Sequence, residues 1–214
     1  KQIKAMMGGE TSEKDKNHIY FYGDVDPDSC LELNRKITEL NKELLKYAID
    51  FDAPPPNIYL HINSNGGCLL SAMSTVDTIR SSRVPIVSIV EGSAASAATI
   101  ISMVCHRRYI TPNSFMLIHQ LSSGMYGKYE EMKDDFTNDT KFMDRLYSLY
   151  KTYTKMSQKQ IKKVLTRDIW WDSDECLKNG LVDGNWNPNM TSLNVNDIIN
   201  GNGNGNSFQT SFVN

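Results

Sequence analysis

A largely parallel β-sheet with helices packed against it is the α/β fold class that this 214-residue sequence predicts. Three observations carry the prediction. The runs HIYFYG (18–23), NIYLHI (57–62), PIVSIV (85–90) and FMLIH (115–119) are short, rich in β-branched and aromatic residues, and bounded by Gly, Pro, Asn or Asp. The segments between them carry apolar residues at helical spacing. Strand and helix alternate at the interval of βαβ units, whose crossovers make parallel strands. A chain of this length suits one domain and buries roughly 70 % of its unfolded surface, so a full core is expected.

Residues 1–17 are polar and glycine-containing, a composition that buries too little surface to order itself, and they are predicted to be flexible. After the first strand, residues 29–47 set Leu31, Leu33, Ile37, Leu40, Leu44 and Leu45 on one broad helical face. Pro54, Pro55 and Pro56 form a stiff connector into the second strand. The turn INSNGG (62–67) then leads to a helix over 68–81, and the third strand leads through a short turn to a helix over 97–105. Past the fourth strand, 128–153 reads as one long, mostly charged helix with Met132, Phe136, Phe142, Met143, Leu146, Leu149 and Tyr150 as its apolar positions. So polar a helix is predicted to project from the domain. From about Asn185 the chain becomes a tail containing NGNGNGN, also predicted to be flexible.

With 25 acidic and 23 basic residues the net charge is -2, and no basic stripe is present to track phosphates, which argues against nucleic acid as a partner. The longest apolar runs, such as 99–105, fall far short of the ~20 residues that span a bilayer, so no membrane segment is expected. The four cysteines, Cys30, Cys68, Cys105 and Cys176, include no C-x-x-C pair. Reduced thiols in the cytoplasm or another reducing compartment, an organelle matrix included, are the simplest expectation.

The stretch EGSAASAATIISMV (91–104) places Ser96 among Ala94, Ala95, Ala97 and Ala98, where a strand turns into a helix. Backbone N–H groups at a helix start carry partial positive charge and can hold an anionic oxygen beside a nucleophile. Small neighbours leave room for a sharp turn and a close substrate. Taken alone, such a serine is more often a helix N-cap, and small neighbours are often mere close packing. In the INSNGG turn, Gly66 and Gly67 permit a close backbone approach to a bound carbonyl, or simply a turn with positive φ. A nucleophilic serine needs a base. Of His18, His61, His106 and His119, the last is best placed, at the C-terminal end of an apolar strand. For the acid that orients the imidazole, Asp168, Asp172, Asp174 and Asp183 all remain open.

From about Ile19 to Asp183 the sequence resembles the proteolytic subunit of the Clp protease, and its motifs arrive in that family's order. IYFYGDVD resembles the first strand and turn, and IYLHINSNGG resembles I-Y-L-Y-I-N-S-P-G-G. GSAAS matches G-x-A-A-S, and PNSFMLIHQ resembles P-N-[AS]-x-x-[ML]-I-H-Q. TRDIWWDSDECLKNGLVDG resembles the family's R-D segment more loosely. The resemblance implies a ClpP/crotonase-like ββα-spiral head over 18–184, with a long handle helix in a region of about 121–156. It implies Ser96 as nucleophile, His119 as general base and Asp168 as orienting acid, with the backbone N–H groups of Gly67 and Ala97 as the oxyanion hole. By the same resemblance Gly66 and residues Leu121, Ser122, Ser123, Gly124 and Met125 line the path of an extended substrate, and Arg167 is an oligomer contact. No metal or organic cofactor is implied.

The implied protein is an ATP-independent peptidase core that cleaves unfolded polypeptides inside a heptameric ring, stacked as a tetradecamer, with an AAA+ unfoldase as partner. The alternatives are a prohead or assembly protease of the same fold, a crotonase-type acyl-CoA enzyme, and a non-catalytic ring subunit. The sequence departs from the family pattern at four places. Asn65 replaces a proline, Ala97 and Ala98 replace Met-Gly, His61 replaces a tyrosine near the unfoldase-docking surface, and Thr166 stands where an acidic residue is common.

Overall fold

In the computed structural model, which describes residues 16–187, each expected strand and helix is present, with shifted ends. The order is β1 (His18–Tyr22), α1 (Pro27–Asp50), β2 (Ile58–Ser64), α2 (Leu69–Ser81), β3 (Ile86–Ala95), α3 (Ala97–Met103), β4 (Arg107–Ile110), β5 (Phe115–Leu117), α4 (Tyr129–Tyr153), α5 (Gln158–Leu165), β6 (Trp170–Trp171), α6 (Ser173–Asn179) and β7 (Gly184–Asn185). Among the described residues the strands form one sheet in the order β1-β2-β3-β4-β7, with β5 paired to β3 and β6 to β5. Every pairing is parallel except β5 with β6. The expected flexible ends, apart from Lys16 and Asn17 and residues 185–187, lie outside the described residues.

Helix α1 starts where its cap dictates. The Asp26 carboxylate accepts the Ser29 N–H at 2.8 Å, the Ser29 hydroxyl accepts the Asp26 N–H at 3.1 Å, and Pro27 pre-sets the first turn. Cys30, Leu33 and Ile37 face the core, with Leu40, Leu44 and Leu45 packed at its margin, whereas Leu31 is exposed. The predicted apolar face was therefore one residue too wide. In the central strands Ile58, Leu60, Ile62, Ile86, Ile89 and Val90 are fully buried, the continuous apolar run expected of parallel strands covered on both faces. Each such side chain contributes about 1.5–3 kcal/mol on burial.

Strand β3 positions the site by changing neighbours. Its first half, Val87 to Val90, pairs with β4, and Ser93, Ala94 and Ala95 pair with Phe115, Met116 and Leu117 of β5. The sequence reading ended this strand at Val90, because Glu91, Gly92 and Ser93 look like a turn. Gly92 does take φ +83°, against the Asn63 side chain, but pairing resumes beyond it.

The short elements β4, β6, β7, α5 and α6 lack an apolar period long enough to read. Side-chain ties hold β4 and α6. Arg108 donates to both carboxylate oxygens of Asp183, at 2.6 and 3.2 Å, and to the carbonyls of Tyr153 and Gly180, binding β4 to the ends of α4 and α6. Packing also runs past both expected domain boundaries. The Asn17 carbonyl accepts the Tyr59 N–H, and Trp186 is buried against Tyr59 and Tyr109.

Helix α4 begins one residue later than expected, since Lys128 is its cap, with its N–H donated to Glu131 at 2.9 Å. Leu146 and Tyr150 anchor the second half of α4 in the core, while Met132 and Phe136 in the first half are exposed.

All four cysteines are free thiols, and their settings differ. Burial pushes the Cys105 and Cys176 thiols up to about 12 and raises that of Cys30, whereas hydrogen bonds from the Ser71 side chain and backbone hold the exposed Cys68 below the ordinary thiol value. A lower value means more thiolate at a given pH, and the thiolate is the nucleophile. Iodoacetamide at mildly alkaline pH should therefore alkylate Cys68 first, and the other three only in denaturant. Peptide mapping by mass spectrometry checks this order.

Candidate active site

Immediately after β3, Ser96 takes φ 54° and ψ -121°, a backbone conformation that costs a non-glycine residue on the order of 1–3 kcal/mol and persists only where its surroundings enforce it. The enforcing contacts are local. The Ser96 N–H donates to the Leu117 carbonyl at 2.8 Å, and the Ser96 carbonyl accepts the Thr99 N–H at 3.1 Å. Ser96 occupies the N-cap position of α3, yet its side chain makes no capping hydrogen bond. Its Oγ lies 2.7 Å from His119 Nε2 instead. The N-cap reading of this serine fails on that observation.

His119 follows the end of β5 by two residues, and its Nδ1 lies 3.0 Å from Asp168 Oδ1. A carboxylate can only accept, so Nδ1 carries the proton and Nε2 is left to accept from the Ser96 hydroxyl. The imidazole is largely covered, at 25 % side-chain exposure, while Asp168 is 79 % exposed in the single chain. Of the other three acids left open by the sequence, Asp172 and Asp183 are engaged elsewhere. Asp172 caps α6 by accepting the Glu175 N–H, Asp174 stands in the first turn of that helix, and Asp183 pairs with Arg108. The other histidines are engaged too. His61 Nδ1 meets Glu91 at 2.9 Å, His18 Nδ1 meets His61 Nε2 at 2.8 Å, and His106 Nδ1 accepts the Ile86 N–H at 3.1 Å.

The glycine turn packs directly against the serine. A Cβ at Gly66 would lie 2.5 Å from the Ala95 carbonyl oxygen, 2.8 Å from Ser96 Cβ and 3.1 Å from the Ala97 nitrogen. One at Gly67 would lie 2.3 Å from the Val25 carbonyl oxygen. Positive φ values of 95° and 147° add strain for any side chain. The turn is pinned by the buried Ser64 hydroxyl, which accepts the Gly66 N–H at 3.1 Å, and by the Val25 N–H, donated to the Gly66 carbonyl at 2.9 Å. Asn65, in place of the family's proline, accepts from Ser93 Oγ at 3.5 Å. Gly66 thus lies against Ser96 and the Ala97 nitrogen, with Gly67 next in the same turn.

Leu121 is half-buried and donates its N–H to the Met143 sulfur at 3.2 Å, and Ser122 to Met125 run exposed, without regular strand pairing. Arg167 donates its N–H to the Val164 carbonyl and, with Lys163, Val164, Ile169 and Trp171, lines an apolar cavity of about 450 Å³. Among the described residues no group of three His, Cys, Asp or Glu side chains is arranged to hold a metal, and no helix is long and apolar enough to cross a membrane.

The family model described as Clp protease matches residues 17–187. The chain belongs to the Clp protease family. Two similar proteins agree. It is 29 % identical over 137 residues to the ATP-dependent Clp protease proteolytic subunit of Deinococcus radiodurans, covering 63 % of this chain and 67 % of that one. It is 28 % identical over 174 residues to the ATP-dependent Clp protease proteolytic subunit 1 of Chlamydia muridarum, covering 79 % and 86 %. The Clp protease member described here is a serine endopeptidase, the peptidase core of a Clp-type protease.

The sites of contact at Gly66 make a sharp prediction. Gly66→Ala should drive a methyl group into the Ala95 carbonyl and lower turnover of a short peptide by about 100-fold or more, since a shift of ~1 Å at a reacting group has that effect. Steady-state kinetics beside thermal unfolding checks it, with activity falling far more than the folded fraction.

Proposed function

We propose that this Clp protease core cleaves peptide bonds by acyl transfer at a Ser96–His119–Asp168 triad. The continuous hydrogen-bonded line from Ser96 Oγ through the imidazole to the Asp168 carboxylate carries the proposal. His119 Nε2 takes the Ser96 proton as Oγ attacks the scissile carbonyl, and the proton then passes to the leaving amine. Asp168 holds the ring in the required tautomer and stabilises the imidazolium. The N–H groups of Gly67 and Ala97 receive the oxyanion, and water then releases the acyl group from Ser96 with His119 again as base. Gly66 and residues 121–125 lie along the substrate path. The exposed backbone of Ser122 to Met125, without regular strand pairing, suits an extended chain that adds to it as a strand, with little dependence on side chains. A crotonase-type enzyme would have no use for a serine wired to a histidine.

Family membership supports an oligomeric proteolytic subunit. The finer proposal is a heptameric ring stacked as a tetradecamer, with the first half of α4 as the handle between rings and Arg167 at the contact. Three exposed features favour burial by a second copy: Met132 and Phe136 on α4, Ile169 and Trp170 beside the triad acid, and Asp168 itself. Unfolded polypeptides would enter such a chamber with help from an AAA+ unfoldase, while short peptides would need no ATP.

A fluorophosphonate probe tests the nucleophile. It should label Ser96 alone, and labelling should vanish in Ser96→Ala. Ser96→Ala and His119→Ala should each lower peptide hydrolysis by several orders of magnitude in folded protein, and Asp168→Asn should be severely impaired because its amide can hold the wrong tautomer. Damage from Asp172→Asn or Asp174→Asn with Asp168→Asn spared would reject the acid assignment.

Native mass spectrometry at graded salt and dilution tests assembly. The double ring should separate more readily than that of a relative with an acidic residue at position 166, because Thr166 offers no charge to Arg167. A fully active monomer would reject the chamber.

A further inference from the structure

Thr99 stands three residues beyond Ser96, in the first turn of α3, and is fully buried. Its Oγ1 lies 2.9 Å from the Ala94 carbonyl oxygen and 3.1 Å from the Leu117 carbonyl oxygen. Those two carbonyls belong to different strands. Ala94 is the next-to-last residue of β3, two residues before Ser96, and Leu117 ends β5, two residues before His119. The Leu117 carbonyl also accepts the Ser96 N–H, and the Thr99 N–H is donated to the Ser96 carbonyl. One residue therefore touches both sides of the strained turn at Ser96 and the strand that leads to the base.

We infer that Thr99 is a positioning residue for the acyl-transfer step: its hydroxyl bridges the nucleophile strand to the base strand and so sets the separation of Ser96 Oγ and His119 Nε2. The inference rests on the assignment of Ser96 as nucleophile. A hydroxyl has one proton, and at these distances it is shared between two carbonyl oxygens in a dry setting, where a polar contact weakens little through competition with water. Without it the two strand ends keep their backbone pairing, but the Ala94 carbonyl loses a buried donor, and the turn at Ser96 keeps fewer of the contacts that impose its φ of 54°. The reactive pair is 2.7 Å apart and depends on both strands. A displacement of a few tenths of an ångström between them falls directly on proton transfer. Binding of the peptide backbone along residues 121–125 does not pass through Thr99, so the loss belongs in kcat and not in KM.

Thr99→Val keeps the shape and deletes the hydroxyl, Thr99→Ser keeps the hydroxyl and deletes a methyl, and Thr99→Ala deletes both. For the full chain, kcat and KM for a short peptide and the rate of fluorophosphonate labelling at Ser96 are measured beside the melting temperature. Thr99→Val should lower kcat and the labelling rate by about tenfold or more with KM within about twofold of wild type, and Thr99→Ser should retain most of both. Unchanged kcat and labelling in folded Thr99→Val, even with a lower melting temperature, would make the residue merely structural and overturn the inference. A raised KM with intact kcat would overturn it as well. If Thr99→Val fails to fold, the Thr99→Ser and Thr99→Ala pair isolates the hydroxyl, and equal rates in that pair overturn the inference. Failure of wild-type protein to label at Ser96 would instead reject the nucleophile assignment, a result separate from any Thr99 comparison.

Discussion

The parallel pairing of Ser93, Ala94 and Ala95 with Phe115, Met116 and Leu117 is the constraint on which the rest of the site depends. It brings two strand ends, each followed closely by a member of the proposed triad, to the same edge of the sheet. The Ser96 N–H extends that ladder by one more hydrogen bond, to the Leu117 carbonyl at 2.8 Å. With the register fixed there, Oγ of Ser96 meets Nε2 of His119. A slip of one residue would turn every side chain to the opposite face and separate the pair. The fully buried Ile and Val side chains of β2 and β3 hold that register, so the core and the chemistry share one set of contacts.

Much of this was legible in the sequence for physical reasons. Four strands stood out because β-branched residues in short, punctuated runs have few other uses. His119 stood out because it ends such a run, and Ser96 because small residues flank it where the chain turns into a helix. Asp168 did not, because Asp172, Asp174 and Asp183 share its composition and neighbourhood; only the resemblance singled it out. Cap geometry and the Arg108 ion pair account for Asp172 and Asp183, and neither could be seen without coordinates. The second half of β3 was hidden by Glu91-Gly92-Ser93, which locally spell a turn. Thr99 was hidden for a different reason. Its role comes from two carbonyls that are distant in sequence or outside its own helix, a pattern that periodicity cannot carry. The one signal available was a hydroxyl inside an otherwise apolar helix start, AATIISM.

In the proposed triad and ring, the 79 % exposure of Asp168 in the single chain would link catalysis to assembly. An orienting carboxylate in water is stabilised by solvent as well as by its histidine, and its grip on the ring is weakened accordingly. Residues 166–170 are all exposed in the single chain, and they include the large apolar side chains of Ile169 and Trp170. Covering that strip would strengthen the Asp168–His119 contact and remove apolar surface from water in one step. Under the proposed mechanism, a stray single chain would hold its base less firmly than an assembled one.

The most direct measurement is the structure of the protein after reaction with a peptidyl chloromethyl ketone, which alkylates a catalytic imidazole and adds to the neighbouring nucleophile. The geometry requires one inhibitor joined to both His119 Nε2 and Ser96 Oγ, with Asp168 still facing Nδ1 and the former carbonyl oxygen toward the Gly67 and Ala97 N–H groups. An adduct on Cys68, one residue beyond Gly67, or on a histidine other than His119, with Ser96 untouched, would contradict the triad.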